Sequence, residues 1–180
     1  MYETTIILVL FVFFITVIVF MLRISIPIIN TTRETSSLEI SVSALKKTAD
    51  MISTVYNYVT TNKVKTPNYY AITDDLYFGG GITSFVCAYD ISGANSFLAI
   101  RYIPSTSEEG KGAPHEFYTV VPANSPSLEV YVNGNPIKNF CSNDTALYSV
   151  TFTEIRMRTV FIKGYLSEDE TKFYLVIQIS

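Results

Sequence analysis

Tryptophan is absent from these 180 residues, histidine occurs once, at His115, and cysteine twice, at Cys87 and Cys141. Charge is scarce too: Asp, Glu, Lys and Arg make up 16% of the chain, the formal net charge is -3, and Lys and Arg nowhere gather into a dense block. Each shortage removes a class of function. Without a basic stripe there is no electrostatic footprint for nucleic acid, so no such partner is expected. One histidine and no CxxC pair leave no zinc site. His115 lies in GKGAPHEF with no nucleophile elbow such as GxSxG beside it, and reads as a solvated loop residue. Gly79-Gly80-Gly81 lacks the Lys-Ser/Thr of a phosphate loop and falls between strands rather than before a helix. Asp74-Asp75 and Glu168-Asp169-Glu170 lack the alternating acidic spacing of a calcium loop, and read as solvated turns. No catalytic, cofactor-binding or metal-binding residues are expected, and the chain does not read as an enzyme.

What is present points elsewhere. Thirteen Tyr and twelve Phe, with many Thr, Ser and Asn, suit strands that face partners or an extracellular surface. Cys87 and Cys141 sit in strand-like surroundings and leave two choices, a pair of buried thiols or one disulfide. The disulfide is the reading carried forward, and it implies an oxidising compartment. Two glycosylation sequons, at Asn30 and Asn143, point the same way.

The longest hydrophobic run opens the chain. From Ile6 to Leu22 only Thr16 is polar, which at 1.5 Å per residue makes about 25 Å of helix, close to the hydrocarbon thickness of a bilayer. This predicts a membrane-spanning helix. It is a poor signal peptide, having no basic n-region and no small-x-small cleavage site before Arg23. Arg23, Arg33, Lys46 and Lys47 follow the run and only Glu3 precedes it, so the positive-inside rule would place the body in the cytoplasm, against the cysteines and sequons. A basic leader removed ahead of Met1 would resolve the conflict.

Ser25-Ile26-Pro27 predicts a kink or a short non-helical stretch around residues 23–28. Beyond Asn30-Thr31-Thr32 a second helical pattern runs to about Asn62. Leu38, Val42, Leu45, Ala49, Ile52, Tyr56 and Val59 form one apolar row, and Ile40, Ala44, Met51, Val55 and Tyr58 a second beside it. The two rows cover roughly 200° of the helix, more than one sheet needs. Either the same domain covers the second row, or a neighbouring subunit does. After Thr66-Pro67 the period changes to two. Strands are expected over 68–73, 82–90, 96–103, 116–122, 127–133, 146–154, 156–166 and 171–179. The expected class is α+β: a long N-terminal helix, apolar then kinked near Pro27 then amphipathic, followed by a mostly antiparallel β domain. The expected divisions are 1–29, 30–65 and 66–180.

A charge-poor apolar N terminus, a proline-broken long helix, a two-faced continuation and a β domain with one cysteine pair resemble the type IV pilins in the broad sense, including archaeal members. The resemblance implies a membrane-anchored precursor, cleaved by a dedicated peptidase and drawn by an assembly machine into an extracellular filament made of copies of itself. The filament core would be built from Ile6, Val9, Leu10, Phe13, Phe14, Val17 and Phe20. Bacterial pilins usually begin with Phe and carry Glu at the fifth position, where this chain has Met1 and Thr5. Glu3, the one carboxylate of the segment, is then the candidate partner of a terminal amine. The alternative reading is a single-pass surface protein whose β domain binds a partner, as an adhesin or a stator-like module.

Overall fold

In this computed structural model residues 2–89, 95–104, 115–123, 126–137, 141 and 148–180 are described, with only the backbone for 2–9, 27–34, 104, 115–118 and 120. One helix, α1 (Tyr2–Asn62), precedes nine strands: β1 (Tyr70–Phe78), β2 (Gly81–Tyr89), β3 (Ser96–Pro104), β4 (His115–Pro122), β5 (Ser127–Val132), β6 (Asn135–Ile137), β7 (Tyr148–Phe152), β8 (Arg156–Leu166) and β9 (Lys172–Ile179). The chain divides into two units, Met1–Ser36 and Ser37–Ser180.

The first unit corrects the expected fold. Side chains are described for two helical stretches, 10–26 and 35–62, and among the described residues no helix is long and apolar enough to cross a membrane. The first stretch is short of the ~20 apolar residues that a span typically needs. The second carries Lys46, Lys47 and Asp50 among its turns. Among the described residues, therefore, the long apolar N-terminal helix expected as an anchor is not found. Nor is there a non-helical stretch at Pro27, through which helical backbone continues. Proline removes one backbone hydrogen bond and crowds the preceding turn, and a helix can absorb both as a local distortion without ending.

The second unit is two sheets and the C-terminal half of α1 around one core. A five-stranded sheet runs β1-β8-β9-β5-β6, and a four-stranded sheet runs β4-β3-β2-β7. Every pairing is antiparallel except β5 with β9. Alternation explains the faces. Val160, Ile162, Leu166, Phe173, Leu175 and Ile177 point inward from the first sheet, and Phe85, Leu98, Ile100 and Tyr102 from the second. Phe78 on β1 stacks on Phe152 of β7, with centroids 4.9 Å apart, and so joins one sheet to the other.

Helix α1 fills the rest of that core, which decides what covers its wide apolar surface. Leu45, Ala49, Ile52 and Val59 of the first row are buried, and so are Ala44, Met51 and Val55 of the second. The two sheets share the load. Tyr56 packs edge-on against Phe173 of β9, and Tyr58 stacks on Tyr70 of β1. On the other side Thr119 of β4 meets Ser53 and the carbonyl of Ala49. A helix touching two sheets needs a broader apolar surface than a helix lying on one, and of the second row only Ile40, half-buried, and Tyr58, exposed, are left incompletely covered.

Two strand assignments differ from expectation. Strand β1 continues to Phe78, through Asp74-Asp75, because those carboxylates can be accommodated at the surface while Leu76 and Phe78 point in. Lys47 pairs with Asp74 at 2.7 Å, and the Thr159 hydroxyl donates to Asp75. Strand β6 was not anticipated. It follows a two-residue Asn133-Gly134 turn in which both residues have positive φ, 49° and 79°, the geometry that closes a tight hairpin.

Candidate assembly surface

The most distinctive surface is residues 10–26, in the first unit. Fourteen large apolar side chains there are exposed, from Leu10 and Phe11 through Ile24 and Ile26, with Phe11 at 65% and Val17, the least open, at 37%. A stripe that faces a core leaves a polar back. This stretch has little: at 100° per residue, Leu10, Phe14, Ile18, Phe11, Ile15, Val19, Val12, Phe20, Phe13 and Val17 succeed one another around the circumference, with Thr16 and Arg23 in the sector between Val12 and Phe20. The polar residues do little to break it. The Thr16 hydroxyl donates to the Val12 carbonyl at 2.8 Å and so satisfies itself within the helix. Arg23 and Ser25 come only near the end of the stretch.

An exposed apolar surface of this extent marks an interaction site. Covering a half-exposed Leu, Ile or Phe contributes about 1 kcal/mol, so full coverage is worth on the order of 10 kcal/mol per chain before the costs of association. One partner helix covers one face, and an all-round surface takes several such partners or an apolar surrounding of another kind.

Of the residues expected in a core, Leu10, Phe13, Phe14, Val17 and Phe20 are exposed on this stretch. The side chains of Ile6, Val9, Glu3 and Asn30 lie outside the described residues, and so does Asn143. Cys87 and Cys141 form a disulfide, with Cα atoms 5.0 Å apart. The Tyr89 hydroxyl donates to the carbonyl of Cys141.

No family model, curated protein or solved structure matches this chain.

Among the described residues no group of three or more His, Cys, Asp or Glu could hold a metal ion. The acidic turn 168–170 is occupied by protein donors instead. Asp169 accepts from the Ser167 and Thr171 hydroxyls and the Thr171 amide, and these hydrogen bonds hold its carboxyl well below the usual range, at about 2. Glu170 is held low by Lys65 and Lys63, at 2.6 and 3.1 Å. The glycine run is likewise structural. The Tyr102 hydroxyl donates to the Gly80 carbonyl at 2.6 Å, and the Gly79 amide donates to the Ser41 hydroxyl at 2.7 Å. A Cβ on Gly79 would lie within 2.5 Å of Ser37 and Ser41, so the helix sits directly on the link between β1 and β2. Reasoning from sequence missed these two contacts; three adjacent glycines were the available signal of close backbone approach.

Proposed function

We propose that this chain is a structural subunit of an extracellular filament of the type IV pilin kind, polymerising with copies of itself through residues 10–26 and leaving the β domain outside the filament core. The observation that carries the reading is the helix surface that is apolar and exposed around nearly all of its circumference. A copy that gives one face and accepts on another makes a heterologous contact that does not close on itself, and repetition of such a contact produces a filament. The disulfide supports an oxidising location. The assembly machinery that the family uses belongs to the same proposal.

The test is electron microscopy of material sheared from the surface of producing cells, with identification of its main band. Filaments containing this chain are expected. Phe13→Asp is expected to abolish them, since an unpaired carboxylate in an apolar core costs several kcal/mol, while the secreted or extracted β domain keeps its circular dichroism. Recovery of only monomers or small oligomers from the unaltered chain would refute the proposal, and would favour a surface protein whose β domain binds a partner. Normal filaments from Phe13→Asp would refute the core assignment.

A further inference from the structure

The outer face of the five-stranded sheet carries a second feature. Strand alternation turns Glu129 and Tyr131 of β5, Tyr174 and Val176 of β9, and Lys163 and Tyr165 of β8 away from the core. Register aligns them in two rows, Glu129-Tyr174-Tyr165 and Tyr131-Val176-Lys163. Tyr165 and Tyr174 stack with centroids 5.0 Å apart and planes 19° apart. Tyr69, 58% exposed just ahead of β1, receives the Lys163 ammonium 5.1 Å from its ring centroid. The hydroxyls of Tyr131, Tyr165 and Tyr174 make no hydrogen bond to another described residue. Burial, followed by the neighbouring Tyr131 and Tyr174 hydroxyls, raises the Tyr165 phenol above its ordinary value.

Charge singles out one residue of this patch. Lys47, Lys63, Lys65, Lys172 and Arg156 each have a carboxylate within 3.1 Å. Lys163 has none among the described residues and rests only on an aromatic ring. At the edge of the patch Lys172 and Glu129 neutralise each other. The face therefore presents half-buried aromatic carbon, three unused hydroxyls and one uncompensated positive charge. A purely apolar partner would leave the hydroxyls and the ammonium unpaired. A neutral sugar would match the rings and hydroxyls but leave the charge.

We propose that this face binds an acidic saccharide, with its ring carbons and hydroxyls against Tyr131, Tyr165 and Tyr174 and its carboxylate paired with Lys163. The ligand class follows from charge complementarity: a pyranose uronate has an apolar C–H face, hydroxyls at its edges and one carboxylate, a counterpart to each feature of the patch.

The experiment is a titration of the full chain with hexagalacturonate, followed by chemical-shift changes or calorimetry, with dextran oligosaccharide and poly-glutamate as controls. Saturable binding of the uronate alone is expected. Lys163→Gln should weaken it about tenfold and Tyr165→Ala with Tyr174→Ala should abolish it. Tyr77→Ala, an exposed position of β1 away from the patch, should leave it unchanged. Unaltered circular dichroism of Lys163→Gln keeps the comparison valid should the double tyrosine variant misfold. Equal binding of dextran would overturn the role of the carboxylate, equal binding of poly-glutamate would overturn the role of the sugar, and no binding or no loss in Lys163→Gln would overturn the site.

Discussion

Single residues hold this molecule at points that apolar pattern alone does not reveal. Ser41 is fully buried on α1, and its hydroxyl is the acceptor for the Gly79 amide. Ser41→Ala leaves that buried N–H without a partner, which costs about 1–3 kcal/mol, and urea unfolding of the variant is expected to show a loss in that range. Asp169 makes a different prediction, since its effect depends on pH. Its folded carboxyl titrates at about 2, below its ordinary 3.8. A depressed value means that the charged form is favoured by folding. The stabilisation is thus complete above about pH 4 and is lost as pH falls through the folded value. Asp169→Asn should melt at a lower temperature than the unaltered chain at pH 7, and the gap should close as both are taken towards pH 2. A constant gap across that range would show that the carboxylate charge is not the cause.

At the scale of elements, the strands were largely legible and their partners were not. Eight of the nine strands were anticipated from period-two alternation, because each has one buried and one open face. Strand β6 was hidden by being only three residues long and packed against its own turn. The pairing of β5 with β9 in parallel could not be read, since alternation is the same whichever direction a neighbour runs. The helix shows the reverse case. Its two apolar rows were visible residue by residue, but the explanation, two sheets on one helix, depends on the topology of strands far along the chain. The disulfide is a further bond between elements, tying the end of β2 in one sheet to the segment after β6 of the other. With a separation of 54 residues, the loop-entropy argument assigns it about 4 kcal/mol at most. Replacing both cysteines with serine should lower stability by up to that amount in chemical denaturation, and an unchanged midpoint would mean that the bridge constrains nothing in the unfolded chain.

For the molecule as a whole, the apolar stretch was the loudest signal in the sequence and was over-read in one respect. Phe11, Phe13 and Phe20 are as exposed as the pattern suggests, but among the described residues no helix is long and apolar enough to cross a membrane, and pattern alone does not separate burial in lipid from burial among copies. The tyrosine patch was invisible for another reason. Tyr131, Tyr165 and Tyr174 come from three strands that meet only in the folded sheet, and each reads singly as an ordinary outward strand residue.

The strand order of the five-stranded sheet carries a consequence for how the chain can be made. Strand β9 sits in the middle, between β8 and β5, yet comes last of the nine in synthesis. Until it arrives, β5 with β6 and β1 with β8 are two fragments with nothing between them, and the apolar face of α1 has only part of its cover. Contacts this far apart in sequence form slowly. The four-stranded sheet needs only β2, β3, β4 and β7 and can form before β9 is made, whereas the five-stranded sheet closes only when that final strand is made.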